Sequence, residues 1–454
     1  MTPNTLLRLD QLSVRNFRCF AECTVDLHPK LTVLVAENGQ GKTAILDAIN
    51  VAFGPYVDAL AGTGQSKGFA RTDIRLSPGE GGRMKPELPT EFVGKGVIAD
   101  EPVRWSRSRR SDSSKANSTQ GKANEIVKPA QALRHRVEIS SGAPGTEIPI
   151  LPLIAFYGTG RLRGEQATRR KSFLPPNARL AGYAECLSSS LSESAGRWYE
   201  TKWNETRDPR FSAELTNNLR LLGAVRQAID EIIGPPTGWR NFEWDAEQKT
   251  LVVENSSQGR LPLRALSDGV RGMLAVIADI ARRCATLNPQ FLDDAARATP
   301  GLLLIDEVDM HLHPRWQQVV VDLLGRAFPL LQVILTTHSP HVLSTVHKDS
   351  IRVIRLRDGR GLIETPTMQT RGVMSADVLA SIMGVDPIPQ IEEAQQLSQY
   401  RALIEDGLAE SEEALPLRSG LVAHFGENHP LILDCDRLIR FQAFKLKRNR
   451  PEEV

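Results

Sequence analysis

The sequence predicts an α/β protein: a mixed, largely parallel sheet flanked by helices, with an antiparallel β lobe, a helical insertion and a helical C-terminal tail. Three observations carry this. Short apolar runs over 6–35 lead into a glycine-rich octet and then a helical pattern. From 267 onward the pattern becomes helix, strand, helix, strand, as βαβ units require. Residues 375–454 are almost entirely helical and charged.

Taken in order, "LLRLDQLSVRNF", "ECTVDL" and "LTVLVAE" read as strands. "KTAILDAINVAF" keeps helical spacing through Ile45, Ala48, Ile49 and Val51. Residues 77–148 are rich in Pro, Gly and Ser, and "RWSRSRRSDSSKANSTQGKANEIVK" reads as a polar, basic loop or hairpin tip. "PILPLIAFYGTGRL" is an apolar strand ending in a glycine turn. Residues 173–234 are helical, with one apolar face through Leu215, Leu219, Leu222, Val225, Ile229 and Ile232. "WRNFEWDAEQKTLVVENSSQGRLPLRAL" is a hairpin with a return strand. "SDGVRGMLAVIADIARRCATL" is an amphipathic helix, "GLLLIDE" a buried strand, "PRWQQVVVDLLGRAF" a helix and "QVILTTHS" another strand. The expected divisions are an N-terminal lobe at 1–160 with a polar insertion at 77–148, a helical subdomain and hairpin at 161–260, a second lobe at 261–370 and a tail at 371–454.

Composition narrows the class. The 454 residues are 41% hydrophobic and 24% charged, enough apolar material for a sizeable core. A net charge of +2 argues neither for nor against nucleic acid, so only local patches bear on that question. The five cysteines are scattered, without paired spacing, which fits a reducing cytoplasm and no disulfide framework. The N-terminus lacks a signal pattern and no apolar run approaches a membrane span, so a cytoplasmic protein with no membrane partner is expected.

Four motifs carry chemistry. "AENGQGKT" lies between a strand and a helix, where backbone N–H groups of Asn38, Gly39, Gln40, Gly41, Lys42 and Thr43 can cradle phosphates. Lys42 would neutralise the β- and γ-phosphates and Thr43 would ligate Mg²⁺. Ala36 stands where the full P-loop pattern has glycine. "GLLLIDEVD" delivers Asp306 and Glu307 at a strand end, costly unless a cation or a reaction uses them. Asp306 would hold Mg²⁺ and Glu307 would polarise the attacking water. "LTTHS" sets His338 at another strand end, where it can sense a γ-phosphate. "LSDGVRG" starts a helix at Ser267, which could cap that helix or meet an anion.

This order resembles the ABC-type ATPases, in particular the RecF/SMC-like branch. In that branch "LSDGV" corresponds to the signature motif, "DEVDMHLHP" to Walker B plus D-loop and "TTHS" to the His switch. The resemblance implies a P-loop NTPase head that dimerises around ATP and Mg²⁺, with Ser267 and Gly269 acting in trans and Asp309 at the dimer seam. Glu307, Lys42 and His338 would then be catalytic. Asp268 replaces a usual glycine, and its carboxylate is expected to face away from phosphate. "FYGTGR" is the Q-loop candidate, with Arg161 near the nucleotide. His311 and His313 form an HxH pair, read as structural beside a metal alternative. SMC proteins carry a long coiled coil after the Q-loop; here 162–265 lacks sustained heptads, so a compact head is expected.

"RWSRSRR" and "RLRGEQATRRK" could touch nucleic acid or be solvated surface, and Trp105 could stack on bases or pack from a strand. In the tail, "HPLI…DRLIRFQ" is similar to the ATPase subunit of Septu anti-phage systems, which also occurs beside retrons. That resemblance implies a regulator of a separate HNH nuclease, assembled as a homodimer or higher oligomer. The alternatives are a RecF-like DNA-repair ATPase, a nucleotide-binding scaffold with weak or no turnover, and an OLD-like ATPase with its own nuclease. The last would use Asp434 and Asp436 of "LILDCD", although no glycine-flanked Glu strand precedes them.

Overall fold

Alternation at the N-terminus is used as written. β1 (Leu7–Phe17) buries Leu7, Leu9, Leu12, Val14 and Phe17. β2 (Phe20–Asp26) pairs with it antiparallel, and β3 (Leu31–Val35) leads into α1 (Lys42–Ala61). The computed structural model describes residues 6–62, 68–79, 82–112, 122–142, 146–162, 178–188 and 194–448. Residues 163–171 of the "RLRGEQATRRK" run and the side chains of Arg161 and Leu162 lie outside the described residues.

The described residues of the polar insertion carry more secondary structure than its composition implies. A small hairpin, β4 (Leu76–Pro78) and β5 (Met84–Pro86), precedes β6 (Thr90–Ile98), β7 (Glu101–Arg109) and α2 (Asn124–Gly142). β6 pairs with β1 across a register shift between Leu9 and Gln11, where the apolar phase of β1 slips by one residue. The loop expectation for "RWSRSRR" is therefore corrected. Trp105, Arg107 and Arg109 alternate onto the buried face of β7 and donate to the carbonyls of Ala52, Val51 and Phe69. Those carbonyls satisfy polar groups that would otherwise keep the strand at the surface.

β8 (Leu153–Tyr157) is buried along its whole length. α3 (Ser194–Glu205), α4 (Leu215–Ile232) and the short α5 (Gly234–Thr237) follow. Leu222, Val225, Ile229 and Ile232 of α4 are buried, whereas Leu215 and Leu219 in its first turns stay exposed. β9 (Arg240–Asp245), β10 (Thr250–Asn255) and β11 (Gly259–Pro262) form the separate three-stranded sheet that the hairpin reading anticipates.

Next come α6 (Asp268–Leu287), α7 (Ala295–Ala298), β12 (Gly301–Ile305), α8 (Pro314–Gln317), α9 (Val320–Ala327), β13 (Leu331–Thr336) and α10 (Pro340–Leu343). The helix read in "PRWQQVVVDLLGRAF" is thus two pieces. β14 (Ile351–Arg357) and β15 (Arg360–Glu364) were not anticipated.

The main sheet has ten strands in the order β7-β6-β1-β2-β15-β14-β3-β13-β12-β8. Its β8, β12, β13, β3 and β14 run parallel, and the β1-β2-β6-β7 lobe is antiparallel. Contrary to the expectation that no segment is long and apolar enough to span a membrane, α1 meets that test by length and composition. It is instead a core helix, with Ala44–Val57 buried throughout.

The chain divides into two compact units, 1–378 and 379–454, with α11 (Ser375–Ser381) at the junction. The second unit contains α12 (Glu392–Glu405), α13 (Ala414–Phe425) and α14 (Pro430–Arg448) around Tyr400, Ile404, Leu421 and Ile432. Asp434 and Asp436 lie on helix α14 and pair with Arg437 and Arg418, not on the strand end a Toprim site needs.

Candidate nucleotide site

The loop between β3 and α1 is built by its glycines. Gly41 has φ +95°, and a Cβ there would stand 2.3 Å from the Phe20 ring and 2.7 Å from Cys19 Sγ. Only glycine meets both demands. Gly39, at φ +79°, and Asn38 are exposed at the tip. Ala36 is buried, and its contribution is a carbonyl: Lys42 Nζ donates to Ala36 O at 2.8 Å and to Glu37 O at 3.2 Å. A small side chain at 36 leaves that contact intact. Gln40 Oε1 accepts from Leu356 N at 2.6 Å, so its side chain rivets the loop to β14.

The acids arrive from β12. Thr43 Oγ1 donates to Asp306 Oδ2 at 2.8 Å. The two oxygen ligands proposed for Mg²⁺ therefore already touch, a donor set that suits a hard cation. Thr336 Oγ1 donates to Asp306 Oδ1 at 2.6 Å and accepts from Glu307 N at 2.7 Å. Glu307 has φ +47°, the left-handed region, and is only half-buried. Strain of this kind at a glutamate persists only where its surroundings hold it.

The hydroxyls of "TTHS" clamp the acid segment. Besides Thr336, Thr337 Oγ1 donates to Asp309 Oδ1 at 2.6 Å and Ser339 Oγ to Gln317 Oε1 at 2.6 Å. Sequence reasoning took this motif for its histidine and missed the clamp, although the hydroxyl run was visible.

Electrostatics follow from burial. Burial lowers the Lys42 pKa, while Asp306, Glu307 and Asp309 work the other way. Burial, then the charge of Lys42, lowers the pKa of His338, which favours the neutral imidazole. Lys42, Thr43, Asp306, Glu307, Asp309 and His338 thus share one electrostatic neighbourhood.

Ser267 stands apart from that group. It is exposed at the N-cap of α6, and its side chain makes no capping hydrogen bond. Asp268 is turned along the helix to Arg271 at 2.6 Å. A Cβ on Gly269 would lie 2.2 Å from His311 O, so the helix tip packs on the backbone of His311 in its own chain. His311 is exposed with φ +60°, and His313 accepts from Arg315 N at 3.3 Å, capping α8. Among the described residues no three His, Cys, Asp or Glu side chains gather as a metal group.

Comparisons with known proteins fit this geometry. A family model described as an AAA domain matches residues 11–230. A second AAA-domain model, whose description also names the AbiEii toxin of a type IV toxin–antitoxin system, matches 240–344. The chain is 38% identical to the "Retron Vc95 probable ATPase" of Vibrio cholerae, over 89% of this chain and 85% of that protein. It is 34% identical to the "Retron Ec83 probable ATPase" of Escherichia coli, over 94% and 86%. A 27% identical match to the Septu protein PtuA of Bacillus thuringiensis covers 30% of this chain and 35% of that one. A solved SMC head bound to the C-terminal winged-helix domain of ScpA aligns over 79% of this chain and 98% of that chain, at 15% identity and a TM-score of 0.48. The cradle, the acid pair and the similarity over most of the chain lead to one statement: this chain is a P-loop ATPase and belongs to the family of retron-associated probable ATPases.

Proposed function

We propose that two copies of this chain close around ATP, each lending Ser267 and Gly269 to its partner's phosphate loop, and that hydrolysis reopens them. One observation carries this reading. Ser267 presents an exposed hydroxyl at the tip of a 20-residue helix without using it as a cap. A helix N-terminus with a free hydroxyl suits an anion supplied from outside the chain.

Within each copy, Lys42 leaves its carbonyl partners to meet the β- and γ-phosphates. Glu307 orients the attacking water, and His338, kept neutral, hydrogen-bonds the γ-phosphoryl group. Mg²⁺, when bound, offsets the charge that develops during phosphoryl transfer. Thr43 and Asp306 are the residues that would hold it. Asp309 lies at the seam between copies.

The output is a population shift between open and closed pairs. We infer that the shift licenses or restrains a separate HNH-type nuclease in anti-phage defence, with 379–454 as the docking element. The similarity to retron and Septu ATPases supports this, as does α14, which leaves Phe441 and Phe444 exposed.

A paired experiment tests the site and the sandwich. Lys42→Ala is expected to lower Mg²⁺-dependent phosphate release by about 100-fold or more. Glu307→Gln is expected to bind ATP, fail to turn it over and elute as a dimer only when ATP is present. A monomeric elution of ATP-loaded Glu307→Gln would refute the sandwich.

A further inference from the structure

The signature helix carries a buried charge cluster that the hydrolytic site does not use directly. Asp279, in the middle of α6, accepts from Arg282 Nη2 at 2.6 Å, from Arg283 Nε at 2.7 Å and from Tyr157 Oη at 2.9 Å. All four side chains are at least nine-tenths buried. Burial works to raise the Asp279 carboxyl, but Arg283 and Arg282 outweigh it and hold it well below the usual carboxylate range. Burial, then the Asp279 charge, pushes the Tyr157 phenol well above its ordinary range, so it remains a donor. A buried ion cluster contributes little stability relative to well-packed apolar residues of the same volume. Its position is more informative.

Tyr157 ends β8 and bonds in two directions. Its hydroxyl reaches Asp279 on α6, and its carbonyl accepts from Asp306 N at 2.8 Å. Asp279 lies roughly three turns from Ser267 along one uninterrupted helix. At the far end of β8, Asn288 holds both the N–H and the C=O of Leu151 at 2.8 Å. α6 is therefore tied to Tyr157 at the end of β8 and, through its C-cap Asn288, to Leu151 just before that strand, and its N-terminal turns extend past the Tyr157 bond. Arg283 adds bonds to the carbonyls of Gly182 and Ala184.

We propose that Tyr157 is a positioning residue for ATP hydrolysis: it joins the signature helix to the strand end that carries Asp306 and Glu307, so that Ser267 and the acid pair move as one piece. A closing event sensed at the acids of one site would thereby set the serine offered to the neighbouring site. The proposal rests on the reading that Ser267 acts in trans.

The test compares ATP turnover, over ranges of protein and ATP concentration, for wild type, Tyr157→Phe and Tyr183→Phe. Binding of a fluorescent ATP analogue is measured separately. Tyr183 is the control, because its equally buried hydroxyl donates to Pro152 O at 2.7 Å, beside the start of β8 and away from the acids. Tyr157→Phe is expected to lower kcat by about tenfold. KM and analogue affinity should stay within about twofold of wild type. Tyr183→Phe should leave kcat at the wild-type level. The proposal is overturned if Tyr157→Phe keeps wild-type kcat, if both variants fall alike, or if analogue binding falls in step with kcat. A wild type whose turnover per protomer ignores protein concentration, together with no ATP-driven dimer of Glu307→Gln, overturns the sandwich and Tyr157's role together. A concentration-dependent wild type beside an unaffected Tyr157→Phe overturns the positioning role alone.

Discussion

At the scale of single residues, the site is held by hydroxyls as much as by charges. Thr336 orients one oxygen of Asp306 and also takes the N–H of the strained Glu307. Valine keeps the shape of threonine but has neither bond. Thr336→Val is therefore expected to lower kcat by about 10- to 100-fold, because small misplacements of reacting groups are costly. It should also destabilise the fold by about 1–3 kcal/mol through the two lost hydrogen bonds. Phosphate release and a thermal melt read the two effects, and wild-type kcat in the variant would dismiss the clamp as decoration. Lys42 belongs to the same picture. Its ammonium rests on two carbonyls of its own loop, and burial lowers its pKa.

At the scale of elements, β7 shows how a basic, serine-rich run can be a core strand. Its period-two alternation puts Trp105, Arg107 and Arg109 on one face, and carbonyls of α1 and the segment after it accept from them. Trp105 packs edge-on against Phe53, with ring centroids 5.2 Å apart. Trp105→Ala is expected to cost about 3–5 kcal/mol, as for other buried aromatic truncations. If the tryptophan instead served as a stacking platform for nucleic acid, the variant would keep its thermal midpoint and lose only DNA affinity in a binding titration. The cation–π contact of Arg107 over Phe69 points the same way, toward packing. α6 is the opposite case: its amphipathic pattern was plain in the sequence, but its fastening to β8 was not.

At the scale of the whole molecule, the P-loop strand β3 is flanked by β13 and β14, which come about 300 positions later in the chain. This interleaving brings Thr43 to Asp306 across 263 positions. Period and punctuation determined much in advance: β1 to β3, α1, β8, α6, β12 and β13, and the places of the octet, the acid pair and "TTHS" at strand ends. Each of these depends on neighbours within a few residues, which is the range over which periodicity and glycine placement act. Tertiary structure alone decided the rest. It inserted β14 and β15 between β2 and β3, buried three residues of a run that composition reads as solvated, split one helix in two and bonded Tyr157 to both Asp279 and Asp306. Those outcomes depend on which distant carbonyl or carboxylate lies within about 3 Å, and local sequence carries no record of such long-range partners.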